Sequence, residues 1–220
     1  QDHFTKKGKD TVDRFVNVLI EGKHEEAMEI AQENLNSKKD LIDFFENIVR
    51  PAMYIIGIQW EQGKISVAEE HLASSIVSRV ISIMYSRFMT FSQSKGKAIV
   101  TATANEFHEI GSRVIADSLQ LDGWDVDHLG VDTPVEDLID LLHDKEPFLL
   151  GLSVAIPFNI KDAVETVDMI KAEPELENTK IIVGGKTFND NPELWKKTGA
   201  DAWCKDGAEV IKVAREWWSE

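Results

Sequence analysis

A carboxylate and an imidazole stand two residues apart in the stretch Asn105-Glu106-Phe107-His108-Glu109-Ile110-Gly111. An acid beside a histidine can take one ring nitrogen as a hydrogen-bond donor, which fixes the tautomer and leaves the other nitrogen as a proton acceptor or metal ligand. Gly111 falls where a helix must begin, and a residue without a side chain lets another group approach the backbone closely. By itself the stretch is equally compatible with an ordinary loop histidine. Two further motifs alter the balance. Gly151-Leu152-Ser153-Val154-Ala155 places one small hydroxyl in an apolar run, and Val183-Gly184-Gly185 ends a β-branched run with paired glycines. Ser153 could bond only to backbone, and the glycines could make only a turn. If all three motifs close neighbouring strands, however, they put a carboxylate–histidine pair, a hydroxyl and a glycine-lined slot on one rim.

A second constellation lies upstream: Trp60, then residues 61–69, then Glu70-His71. Trp60 offers a broad flat face able to enclose an apolar group. Glu70 can accept hydrogen bonds from hydroxyls. His71 is turned ~100° from it along a helix, toward the small residues Ser74, Ser75, Ser78 and Ser82. The plain alternatives are a bundle-core tryptophan and acids that only favour a helix start.

The periodicity of the chain supplies the elements that would hold these residues. Up to about residue 92 apolar residues recur at helical spacing, as in Phe15, Val18 and Leu19, or Ala27, Ile30, Ala31 and Leu35. A third segment runs from Leu41 past Pro51 to Gly63, and Ser66-Val67-Ala68-Glu69 is a capping box that opens a fourth. Four helices with short connections predict an antiparallel four-helix bundle over 1–92. From Lys97 the pattern changes. Strands are predicted at 98–102, 124–126, 148–154, 180–183 and 202–203, with helices near 111–122, 134–144, 160–172, 191–197 and 207–218. That alternation predicts a doubly wound five-stranded parallel α/β domain over 97–220, with its ligand site at the carboxyl ends of the strands. The polar, glycine-ended stretch 90–96 marks the boundary.

Composition narrows the function classes. Among 220 residues, 24 Lys and Arg against 39 Asp and Glu give a net charge of −15, which disfavours direct contact with nucleic acid or anionic lipid. No apolar run is long enough for a membrane-spanning helix. The single cysteine, Cys204, excludes an intramolecular disulfide and points to a reducing, cytoplasmic setting. The chain opens at Gln1 with neither a secretory signal nor an initiator Met, so an upstream segment is expected to have been removed. His3, His24, His128 and His143 read as solvated surface, and Trp195, Trp203, Trp217 and Trp218 as packing for the last helix.

The three rim motifs together resemble the cobalamin-binding domain family, whose pattern is Asp-x-His-x-x-Gly, then Ser-x-Leu, then Gly-Gly. The resemblance covers the C-terminal half and implies a flavodoxin-like, Rossmann-type domain. It implies that His108 is the lower axial ligand of cobalt in place of the cofactor's own dimethylbenzimidazole, with Glu106 behind it and Gly111 beside it. The displaced base would enter the slot past Ser153, Gly184 and Gly185. Glu106 stands where the pattern has Asp, and Ala155 where it has Leu. Upstream, Trp60 and Glu70-His71 resemble the helical cap of the cobalamin-dependent light-sensing repressors. On that resemblance the chain is expected to be an adenosylcobalamin-dependent photosensor whose His71 becomes an upper ligand once the alkyl group leaves. Output would pass to a protein partner or an upstream domain, and homo-oligomerisation stays open. The alternative is a corrinoid protein that carries a methyl group, as methylcobalamin, between methyltransferases.

Overall fold

Pro51 sits inside a helical run without ending it, because the turn ahead of it is widened. The computed structural model describes residues 6–33, 35–89 and 95–219, and the chain divides into two compact units, 1–89 and 90–220. In the first, α1 (Lys6–Ile20) and α2 (His24–Glu33) are followed by α3 (Lys38–Phe44), a π-helical turn (Phe45–Val49), α4 (Arg50–Glu61) and α5 (Val67–Phe88). The three middle pieces are continuous. Proline has no N–H and its ring crowds the carbonyl four residues back. The π turn, in which the Arg50 N–H reaches the Phe45 carbonyl, absorbs both faults. The core is aromatic and aliphatic: Phe15 meets Phe44 edge-on at 5.7 Å, and Leu41, Ile56, Ile76 and Met84 are buried around them. The capping box forms as its letters predict, with Ser66 Oγ accepting from Glu69 N at 3.2 Å and Glu69 Oε2 accepting from Ser66 N at 2.6 Å.

The second unit is a parallel sheet in the order β2-β1-β3-β4-β5. Its strands are β1 (Lys97–Ala102), β2 (Asp125–Gly130), β3 (Leu149–Ser153), β4 (Lys180–Gly184) and β5 (Ala202–Trp203). The helices are α6 (Glu109–Leu121), α7 (Val135–Lys145), α8 (Ile160–Ala172), the short α9 (Lys186–Asp190) and α10 (Gly207–Ser219). Alternate strand residues feed two cores. Ile99, Leu150 and Val183 pack with Leu138, Leu142, Val167 and Phe188 on one face. Ala98, Leu149 and Ile182 pack with Leu119, Trp124, Val210 and Ala214 on the other. Both faces are therefore covered, as a parallel sheet requires. The chain leaves β1 for β2 on one side and reaches β3 on the other, so a crevice opens between the carboxyl ends of β1 and β3.

Three details differ from the sequence-based expectation. The helix expected at 191–197 is a 3-10 stretch, Pro192–Thr198, preceded by α9, because Pro192 breaks the run. The second strand continues to Gly130, and His128 on it is half-buried rather than solvated: its Nε2 lies 3.0 Å from Ser112 Oγ, and burial pushes its pKa down. His143 is also half-buried, 3.5 Å from Glu173, whereas His24 is exposed. His3 and the expected boundary stretch at 90–94 lie outside the described residues. Of the aromatics expected to pack the last helix, Trp218 meets Trp124 at 5.5 Å and Phe148 at 5.0 Å and Trp217 joins the same core, whereas Trp195 and Trp203 pack against the core on the other face of the sheet.

Asp117 on α6 is a liability of this packing. Burial pushes its carboxyl up to about 6, and Arg113, 3.8 Å away, only partly opposes this. The folded value stands above the 3.8 of an unfolded aspartate. The native state therefore binds the extra proton between those values, and that contribution to stability is lost as pH rises from about 4 to about 6. Asp117→Asn is expected to raise stability at pH 7.5 by on the order of 2 kcal/mol and to leave it unchanged below pH 4, as read by urea unfolding at the two pH values.

Candidate functional site

The crevice between β1 and β3 is organised around one buried carboxylate. Glu106 has no exposed surface, and five N–H groups converge on its two oxygens. Oε1 accepts from the backbone N–H of His108 at 3.2 Å and from His108 Nδ1 at 2.5 Å. Oε2 accepts from the backbone N–H groups of Ala155 and Ile156 at 2.8 and 3.0 Å and from Asn159 Nδ2 at 3.1 Å. Burial raises the pKa of this carboxyl, but the bonds from His108, Ile156, Asn159 and Ala155 outweigh it and hold the group at about 2. Glu106 is therefore ionised at neutral pH. It takes Nδ1 of His108 as a donor, which makes Nε2 the basic nitrogen.

The local fold explains each position. His108 is the residue from which α6 departs, in extended conformation with φ −86°, so its ring stands at the helix start, 61% exposed. After β3 a single 3-10 turn, Pro157–Asn159, brings the Asn159 amide back onto Glu106 and onto the Asn105 carbonyl at 3.1 Å. Sequence reasoning misses Asn159. Its type carries only a weak signal: an asparagine directly ahead of a helix and close behind a proline is a turn-forming side chain that bonds nearby backbone. Nothing in that pattern points to Glu106.

The other rim residues fall on the same edge. Ser153 closes β3, half-buried, between Ala102 of β1 and Gly184 of β4. The three glycines have different physical reasons. A side chain at Gly185 would lie 2.4 Å from the Val154 carbonyl oxygen, and the residue has φ +111°, so backbone approach alone demands glycine there. A Cβ at Gly184 would touch the Cys204 carbonyl at 3.1 Å, a tight contact. Gly111 is exposed, and a Cβ there would meet nothing within 4 Å. On the same loops that carry Glu106 and its donors, Phe107, Ile156 and Phe158 are exposed by 68%, 43% and 73%. An exposed imidazole whose Nδ1 is held by a carboxylate could hold a metal through Nε2.

In the helical unit, Trp60 is 47% exposed near the end of α4 and is not a core residue. Glu70, in the first turn of α5, accepts from Ser74 Oγ at 2.7 Å and lies 2.7 Å from His71 Nδ1, with the His71 side chain 74% exposed. Among the described residues no group of three or more His, Cys, Asp or Glu is placed to hold a metal ion, and no helix is long and apolar enough to cross a membrane.

A family model described as a B12 binding domain matches residues 96–214, and a second model with the same description matches residues 11–85. The chain belongs to the B12-binding family. Its similarity to named relatives extends through both units. Dimethylamine corrinoid protein 1 of Methanosarcina mazei is 20% identical over 88% of this chain and 96% of its own length. A corrinoid protein of Desulfitobacterium hafniense is 19% identical over 93% and 96%. In fold the chain is similar to the monomethylamine corrinoid protein of Methanosarcina barkeri, at a TM-score of 0.80 and 21% identity, covering 94% of this chain and 98% of that one.

These likenesses overturn the expected photosensor. The relatives align along the helical unit as well as the sheet, and they are named as corrinoid proteins, the first of them for dimethylamine, not as light-sensing regulators. The Trp60 and Glu70-His71 spacing is a three-residue signal on exposed helix ends, where such residue types need no shared task.

The Glu106 cluster is testable without cofactor. A glutamine has one acceptor and one NH2 group, so either orientation turns an NH2 toward at least two of the five donors. Glu106→Gln is expected to lower stability at pH 7 by on the order of 2–4 kcal/mol. The wild-type carboxyl lies below its unfolded value of 4.5, so its contribution is complete above that pH and is lost as pH falls toward about 2. Urea unfolding between pH 3 and 7 should therefore show an acid-side decline in the wild type that is shallower in the variant.

Proposed function

We propose that this chain is a methyl-carrying corrinoid protein, the loaded form being methylcobalamin and the partners being methyltransferases that deliver and remove the methyl group. The single observation that carries this is the exposed His108 imidazole, held by a buried, ionised Glu106 at the sheet's switch point, in a chain that aligns with named corrinoid proteins along nearly its whole length. A further structural neighbour, a methanol:cobalamin methyltransferase complex of Methanosarcina barkeri, adds support for a methyltransferase partner; its TM-score is 0.51 at 17% identity, with 100% of this chain and 86% of that one covered.

Bound B12 supplies a cobalt centre that accepts a methyl group from one donor and yields it to another acceptor. The chain's own residues do the rest. His108 would hold the cobalt through Nε2. Glu106 keeps the proton on Nδ1 and makes the ring a stronger donor toward metal. Asn159 and the Ala155 and Ile156 N–H groups keep that carboxylate from turning away. Gly111 leaves room at the start of α6, and Ser153, Gly184 and Gly185 lie where the cofactor's nucleotide arm would enter. No ligand role is assigned to His71. With −15 charges on the chain, a methyltransferase with a basic docking face would be the complementary partner.

Two measurements test this. Protein labelled uniformly with 15N is loaded with unlabelled aquocobalamin, reduced to Co(II) and read by electron paramagnetic resonance. A doublet splitting is expected, from a protein nitrogen; a triplet would mean that the cofactor's own base is still coordinated and would overturn the assignment. His108→Ala should keep the wild-type circular dichroism and lose the doublet. The protein reduced to Co(I) should then be methylated by a purified methylamine or methanol methyltransferase with its methylamine or methanol as donor, and the methylcobalamin-loaded protein demethylated by a purified methyltransferase that passes the methyl group to a thiol acceptor. Absence of transfer with all of them would overturn the carrier role.

A further inference from the structure

We infer that Asp132 is a positioning residue for the lower ligand, acting from the neighbouring β2–α7 loop through the backbone on either side of Glu106. The inference rests on His108 being that ligand.

Two non-glycine residues on adjacent strand exits adopt left-handed backbone conformations, Asn105 at φ 61° and Asp132 at φ 50°. Asn and Asp tolerate this region better than other side chains, yet it is still disfavoured and persists where surrounding bonds impose it. The two residues impose it on each other. The Asn105 N–H donates to Asp132 Oδ1 at 2.8 Å, and the Asp132 N–H donates to the Glu106 carbonyl at 3.0 Å. The backbone between those bonds is the stretch that carries Glu106 toward His108. Its remaining groups are also held: the Asn105 carbonyl accepts from Asn159, and the Glu106 N–H donates to the Thr103 carbonyl at 3.1 Å.

The loop is delivered to this place by a fault in the sheet. β1 pairs with β2 in register from Lys97 and Asp125 to Val100 and His128, and then Thr101 pairs with Gly130, so Leu129 is skipped. Such a bulge bends a strand and re-aims the residues beyond it. Gly130, at φ +86°, completes the turn. Thr133, next to Asp132, is tied to β1 by a 2.7 Å bond between its Oγ1 and that of Thr101. The exposed Asp132 side chain contributes little to folding, because solvent competes for its bond. Its effect is on where the Asn105–His108 segment stops, and so on the direction in which the imidazole points.

Substitution separates this from plain loop stability. Asp132→Gly removes the acceptor while relieving the left-handed strain, so the protein should fold as well as the wild type. Asp132→Asn keeps an Oδ1 acceptor and the conformational tolerance. Thr133→Val removes a bond of the same loop that does not reach the Glu106 backbone. In the 15N-labelled Co(II) protein, Asp132→Gly is expected to convert most of the doublet to the triplet of the cofactor's own base and to weaken aquocobalamin binding by roughly tenfold. Asp132→Asn should restore both, and Thr133→Val should keep the doublet. If Asp132→Gly does not fold, Asp132→Ser, whose oxygen falls short of Asn105, must give the same loss. A full doublet in the Gly or Ser variant overturns the inference, as does failure of both to fold, which would make Asp132 simply structural. A triplet in the wild type itself would instead overturn the His108 assignment beneath it.

Discussion

A carboxylate removed from water is tolerated only if other groups replace the hydration it has lost, and in this chain that requirement ties two strand exits together. Glu106 arrives from β1; three of its five donors, the Ala155 and Ile156 N–H groups and the Asn159 amide, arrive from β3. Neither loop satisfies it alone. The crevice at the sheet's switch point is thus held at a fixed width by the same ion that orients His108. An imidazole on a loose loop would sample many directions, whereas here its Nδ1 is bound to an oxygen that is itself immobile.

Glycine plays opposite parts within the same rim. Gly185 is required by the Val154 backbone, which a side chain would strike, and its conformation is one that other residues resist. Gly111 is surrounded by space that a side chain could fill without collision. The first is explained by the fold with no ligand at all. The second is solvent-exposed and the fold gives no reason for glycine there; Gly57 likewise has nothing within 4 Å. The three motifs therefore do not carry equal weight, although in the sequence they look alike.

Periodicity made much of the fold legible. Alternation of β-branched runs with amphipathic stretches implied the doubly wound sheet, and the capping box at Ser66 and Glu69 marked the start of α5 to the residue. Short-range exceptions were not legible. A proline ordinarily signals a helix end, but Pro51 is accommodated by a π turn whose hydrogen bonds no residue pattern announces. His128 read as surface because it falls near a strand end; only the extension of β2 beside β1, with Ser112 of α6 against its ring, makes it half-buried. Of the site, the Glu106 and His108 pair could be read from spacing. Asn159 could not, because its partner lies more than fifty positions away and nothing local links them. The photosensor reading failed for a related reason: Trp60, Glu70 and His71 occupy helix-end surface, where sequence spacing constrains geometry weakly.

Two buried acids in the same α/β unit show what keeps a buried carboxyl ionised. Asp117 lies on the inner side of α6 with one guanidinium 3.8 Å away, too far for a strong hydrogen bond; burial dominates and its carboxyl rises to about 6. Glu106 is also buried, yet five donors outweigh the penalty and its carboxyl falls to about 2. Burial alone therefore does not decide the ionisation state. The number and direction of donors decide it, and they are assembled only around the acid that faces the histidine.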